Sequence, residues 1–154
     1  MSVAFRRESD EEHLEPRFEL PIPPGPNLVT PRGLALIEAR NAELEAAIIA
    51  AAPEQLAALQ RDLRYWRTRL ATAQLAPLAS GEIVAFGTKV TIDQDGTTRT
   101  LDLVGHDESD PAAGRIAFTA PLAKALIGSE IGDQIDPPGP GGPITIVAIT
   151  VRAD

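Results

Sequence analysis

The sequence predicts an α+β protein in which an antiparallel helical hairpin, a short coiled coil, precedes a β-rich domain. Three observations predict it. Between Thr30 and Ala76 apolar residues recur at steps of three and four, broken once at Pro53. From Gly81 onward the period becomes two. Asp-Gly, Asp-Pro and Gly-Pro clusters then cut the second half into short strands around one small helix. Three segments follow: residues 1–29 as a mobile Pro-rich tail, 30–76 as the hairpin, and 80–152 as the C-terminal domain.

The tail reads "MSVAFRRESDEEHLEPRFELPIPPGPNLV" and holds Pro16, Pro21, Pro23, Pro24 and Pro26 among mixed charges. No helix or strand period survives there, so an extended segment is expected. His13 is the one histidine of the tail and reads as a solvated side chain.

In "TPRGLALIEARNAELEAAIIAA", Thr30 suits an N-cap and Pro31 the first helical position. Leu34, Ile37, Asn41, Leu44 and Ile48 mark one stripe. Leu56, Leu59, Leu63, Trp66, Leu70 and Ala73 mark another. Each stripe is narrow, as in a coiled-coil seam. The link Ala52, Pro53, Glu54, Gln55 allows only a tight reversal, so the stripes should face each other. Asn41 on the seam is expected to fix register. Arg61, Arg64, Arg67 and Arg69 crowd the second helix. They read either as a solvated face with cross-helix pairs such as Glu38 with Arg67, or as a basic patch toward phosphate or acidic protein.

In the second half, Val84, Phe86, Val90 and Ile92 alternate in "EIVAFGTKVTI", and Asp95-Gly96 predicts a hairpin turn. "TTRTLDLVG" returns with Leu101 and Leu103 inward, and "RIAF" adds a strand. "PLAKALIG" is a short helix, with Pro121 at its start and Gly128 as its left-handed cap. "DPPGPGGP" turns into a last apolar strand, "ITIVAITV".

The formal net charge is −8, unevenly spread. Residues 1–29 carry 3 basic and 6 acidic residues, 30–76 carry 6 and 5, and 77–154 carry 5 and 11. Such a chain binds duplex nucleic acid poorly by itself, because that affinity comes mostly from phosphate neutralisation. It more naturally meets a basic protein surface. The absence of cysteine excludes thiol catalysis, disulfides and Cys-ligated zinc. With no membrane-length apolar run and no signal-type N-terminus, a cytoplasmic location is expected. No Gly-rich phosphate loop or serine elbow occurs, so neither enzyme activity nor a cofactor is expected. His106, Asp107, Glu108 and Asp110 are the one dense group of potential metal ligands. They lack the oxygen alternation and glycine of a calcium loop, so no metal is expected. A turn with a polar rim and a protein-docking loop remain open.

The stretch "VGHDESDPAAGRIAFTAPLAKALIGSEIGDQI" resembles the C-terminal domain of the GreA/GreB family of bacterial transcription elongation factors. The family shows there a Gly-acidic-Asp-Glu-x-Asp loop, a strand, a short Pro-Leu-Ala helix and a Gly-Asp corner. The hairpin "FGTKVTI" with "DGTTRTLDLVG" and the strand "PGGPITIVAI" are also similar to the family's. Upstream, "VTPRGLALI" resembles its T-x-x-G-x-x-x-L helix start, and "RDLRYWRTRLATAQL" its second hairpin helix. The resemblance covers residues 28–151.

It implies an FKBP-like fold for the C-terminal domain and binding to RNA polymerase core at the secondary channel. Asp107, Glu108, Asp110, Thr119, Ala120, Pro121 and Leu122 would then shape a docking surface, and the arginines would face nascent RNA or channel walls. Proline isomerisation is not expected, since Phe86 and Phe118 alone cannot line its pocket. Cleavage-stimulating members of the family carry an acidic pair at the hairpin tip that helps hold a second Mg²⁺. Here the tip has Glu54 alone, and each helix spans only about 20 residues, roughly 30 Å. A regulator without transcript cleavage is therefore expected. The alternatives are a cleavage factor using Glu54 and an interaction module outside transcription.

Overall fold

A computed structural model describes residues 18–152. His13 and most of the expected tail lie outside them. The described chain forms two compact units: residues 18–25 with 37–72, and residues 26–36 with 73–152.

In the first unit, helix α1 (Pro31–Ala50, whose first turns belong to the other unit) runs to a two-residue link, and helix α2 (Pro53–Thr72) returns. Each helix has 20 residues, as the stripe lengths suggest. Ile37, Leu44 and Leu63 are buried along the seam, and Ile48, Leu56, Leu59 and Trp66 are half-buried. Asn41 is 6% exposed. Its side-chain amide donates to the Ile37 carbonyl, 2.9 Å, and across the hairpin to the Trp66 carbonyl, 2.9 Å. A slip of one helix along the other would leave the intrahelical bond to Ile37 in place but take the Trp66 carbonyl away from the second amide proton. That is how a lone seam asparagine holds register. The stripe departs from expectation at its foot. Leu70 is 37% exposed while Arg69 is 3% exposed, so burial there does not follow the heptad.

The second unit begins earlier than the tail boundary at residue 29. Asn27, Val29 and Thr30 are buried, and strand β1 (Leu28–Val29) pairs in parallel with β2 (Gln74–Leu75). Gln74 N–H donates to the Asn27 carbonyl, 2.8 Å, and Ala76 N–H to the Val29 carbonyl, 3.2 Å. These bonds give the extended backbone at Asn27–Val29 its hydrogen-bond partners.

The main sheet contains β3 (Thr88–Gln94), β4 (Thr97–Val104), β5 (Arg115–Ala117), β6 (Gln134–Ile135) and β7 (Ile144–Val151), ordered β5-β4-β3-β7-β6. The β3–β4 turn is the Asp-Gly hairpin expected, with Asp95 at φ 53° and Gly96 at φ 80°. Both residues need the left-handed region there. Helix α3 (Pro121–Leu126) packs Ala123 and Leu126 on the core formed by Val90, Ile92, Leu101, Leu103, Ile144, Ile146 and Ile149. Gly128, at φ 93°, follows its end as expected.

One strand expectation needs correction, and another gains a detail. The alternation through Val84 and Phe86 is not a strand, because Ala85–Thr88 is a turn. Thr88 N–H and hydroxyl both donate to the Ala85 carbonyl, 3.1 and 2.7 Å, and Gly87 sits at φ 84°. Val84 is still fully buried. The final strand, apolar throughout in sequence, carries a register shift opposite Thr91/Ile92. Ile92 pairs with Ile146 and Thr91 with Ala148, so Val147 is the extra residue of a bulge. The bulge lets Ile146 and Ile149, three residues apart, face the same core.

Candidate docking surfaces

At the hairpin tip, Ala51 and Ala52 link the helices. Gln55, the third residue of α2, reaches back so that Ala52 N–H donates to its side-chain oxygen, 3.1 Å. This is half of a capping box, and it satisfies a donor that the proline-started helix leaves open. Around it lie Ala47, Ala50, Ala51, Ala58 and Leu59, with Glu54 the one carboxylate. Ile49 is 88% exposed. An apolar tip with a single carboxylate offers a hard cation too few oxygen donors. Among the described residues, no three His, Asp or Glu side chains gather as a metal site.

The four arginines of α2 do not form one patch. Arg69 is buried. Arg61 pairs with adjacent Asp62, 2.8 Å, and Arg67 lies 3.9 Å from Glu45 across the hairpin, not beside Glu38. Arg64 forks onto the Glu19 carboxylate, with bonds of 2.6, 2.9 and 3.1 Å. These hydrogen bonds hold the Glu19 carboxyl below its usual range and raise Arg64. Trp66 lies under the Arg40 guanidinium, 5.6 Å from its ring centre, and packs edge-on against Tyr65.

In the second unit the acidic loop divides by direction. Asp110 is exposed, and its backbone makes a two-bond bridge to Arg115, 2.7 and 3.0 Å. Its side chain reaches the Arg115 guanidinium at 3.5 Å rather than capping the turn. Gly114, at φ 80°, completes the turn as expected. Thr119 and Pro121 are exposed, and Ala120 and Leu122 are half-buried against the core. Phe118 N–H donates to the Val104 carbonyl, 2.9 Å, which brings the start of α3 beside the loop. Phe118 also packs edge-on against Phe86, ring centres 5.3 Å apart, so the two rings fill each other's space.

Glu108 does not belong to this rim. It is 4% exposed and turned inward, where its carboxylate gathers three donors. Thr30 Oγ1 donates at 2.5 Å, Arg32 at 3.0 Å and Arg152 at 3.2 Å. A buried carboxylate needs such partners, and these come from the start of α1 and the end of the described chain. Thr30 meanwhile caps α1 by accepting from Gly33 N–H, 3.0 Å. A Cβ on Gly33 would stand 2.9 Å from Glu108 Oε1, and one on Gly105 would collide with the Leu28 carbonyl. The T-x-x-G spacing and the Gly before the acidic loop are thus two sides of one clasp. Sequence reasoning missed Arg32 and Arg152, since nothing local marks them as partners of Glu108.

A profile of the family described as "Transcription elongation factor, GreA/GreB, C-term" matches residues 79–152. The chain is 45% identical over 65 residues to transcription elongation factor GreA of Rhizobium etli, covering 41% of each protein. It is 34% identical over 105 residues to that of Desulfovibrio desulfuricans, covering 66% of this chain and 65% of the relative. The chain thus matches between four tenths and two thirds of these relatives' length. Among solved structures, a GreA/GreB factor from Nitrosomonas europaea is 25% identical, covering 80% of this chain and 98% of that one, at a TM-score of 0.42. GreA factor homolog 1 of Thermus thermophilus is 18% identical, covering 82% and 99%, at 0.41. Through its C-terminal domain, this chain belongs to the GreA/GreB family of transcription elongation factors.

Proposed function

We propose that the protein is a transcription elongation factor that binds RNA polymerase at the secondary channel and regulates elongation without stimulating transcript cleavage. Family membership supports the elongation role. The observation that carries the finer reading is the tip. It offers alanines, an exposed Ile49 and one carboxylate, where cleavage-stimulating members offer an acidic pair. A polymerase-held Mg²⁺ gains most from several fixed oxygen ligands, and this tip supplies one.

Docking falls to Asp107, Asp110, Thr119, Ala120, Pro121 and Leu122, with Glu108 behind them as the residue that holds the loop. Nascent RNA, once inside the complex, would meet Arg61, Arg64 and Arg67, whose carboxylate partners sit at partly or fully exposed sites where water competes.

The test is an in-vitro reaction on backtracked elongation complexes. The expected result is trimming no faster than the polymerase's own rate, unchanged by Glu54→Ala. Fast trimming abolished by Glu54→Ala would overturn the reading and make the protein a cleavage factor. Pro121→Arg, on the exposed first turn of α3, is expected to weaken co-purification with polymerase core.

A further inference from the structure

The strand pairing brings four polar residues into one line on the sheet face opposite the core. Arg115 on β5 is the partner of Asp102 on β4, Asp102 of Lys89 on β3, and Lys89 of Thr150 on β7. Their chain neighbours Leu101, Leu103, Val90 and Ile149 are buried in the core and Ile116 packs against it, so these four point outward. Arg32 and Arg152 close one side, making a polar concavity of about 420 Å³. Three of the five basic residues in 77–154 converge here with Arg32, although that segment is strongly acidic.

The internal pairing of this row is incomplete. Lys89 Nζ stands 4.0 Å from Asp102 Oδ1, too far for a hydrogen bond, and that buried oxygen has no hydrogen-bond partner. The Arg115 Nε is likewise buried without a partner, while its Nη2 reaches the exposed Asp110 carboxylate at 3.5 Å. Arg32 and Arg152 both donate to the Glu108 carboxylate. Four cations therefore line a site in which Asp102 is the one lining anion, and Thr150 adds a hydroxyl donor. Arginine forks and a lysine point charge are the donors that phosphate oxygens take best. Lys89 and Arg115 stand two strands apart, roughly 10 Å at about 4.8 Å per strand.

From this row we propose that the outer face of the β-rich unit is a binding site for a small phosphorylated anion bearing a diphosphate group. The size of the concavity suits a small molecule. A chain of net charge −8 repels a long polyanion, but repulsion from distant charges is screened within about 8 Å at physiological salt, which spares a small ligand. The site does not depend on the polymerase reading.

The test is calorimetric titration of the full chain with pyrophosphate, guanosine diphosphate and sulfate at matched ionic strength. Pyrophosphate is expected to bind one to one and at least about tenfold tighter than sulfate, as charge-assisted forks require. Lys89→Gln with Arg115→Gln is expected to weaken it about tenfold or more, the scale of one lost charged hydrogen bond. Asp102→Asn is expected to tighten it, because the competing carboxylate is gone; a merely structural residue would not do that. Guanosine diphosphate binding more tightly than pyrophosphate would show that the nucleoside is also held, and equal binding would limit recognition to the diphosphate. Sulfate matching pyrophosphate, or both variants binding as the parent does, would overturn the proposal. Thermal melts of the variants confirm folding, and pyrophosphate-induced shifts of the Lys89 and Thr150 amide resonances in the parent read the same site without substitution.

Discussion

The two units bury themselves by different means. The β-rich unit has ten buried apolar side chains in one cluster, from Val84 to Ile149. Within residues 37–72, Ile37, Leu44 and Leu63 are the buried apolar side chains, accompanied by two buried polar ones, Asn41 and Arg69. At about 1.5–3 kcal/mol per fully buried aliphatic side chain, the sheet rests on a much larger hydrophobic term than the seam. The hairpin compensates with specificity: one asparagine sets register and a two-residue link sets the reversal. A narrow rod gains little by burial, so its identity depends on few contacts.

Three substitutions test this contrast. The largest effect is expected in the β-rich unit from Glu108→Ala, which leaves Arg152, its side chain 8% exposed, without its carboxylate. Breaking a buried ion pair from one side costs about 3–5 kcal/mol. A thermal melt checks it, and a loss under 1 kcal/mol would mean that the clasp is ornamental to stability. Next is Leu63→Ala on the seam, with an expected cost of about 2–3 kcal/mol, the lower part of the core range because its neighbours are half-exposed. Hydrogen exchange should show faster opening of α1 and α2 amides while β3 and β7 stay protected. Equal loosening of the sheet would break the comparison.

The smallest effect concerns Glu19 and Arg64, both exposed. Because the Glu19 carboxyl is held below its ordinary 4.5 in the folded chain, its contribution is present above that value. It is lost as pH falls through the lowered folded-state value. An NMR titration of Glu19 should give a midpoint below 4.5, and Arg64→Gln should return it to the ordinary range.

Much of the fold was legible in the chain. Both hairpin helices, the Asp95-Gly96 turn, α3 and its Gly128 end follow from local rules of spacing and backbone conformation. The misreadings share a cause. Val84 and Phe86 alternate like a strand, but the Ala85–Thr88 turn takes their backbone, and alternation alone cannot tell a strand from an extended approach to one. Arg69 and Leu70 exchange burial because a heptad records phase and not what covers a helix end. Glu108 looked like its acidic neighbours, and only its partners distinguish it. Those partners stand 78, 76 and 44 residues away in sequence.

By itself the sequence determined the kinds of elements, their order, the bare hairpin tip and the charge of each segment, since these depend on neighbours within a few positions. Tertiary structure alone decided which way Glu108 turns, where the last strand bulges, and that Arg115, Asp102, Lys89 and Thr150 stand in one row. Those outcomes depend on strand register, and register is set by pairing between distant segments that no local pattern encodes.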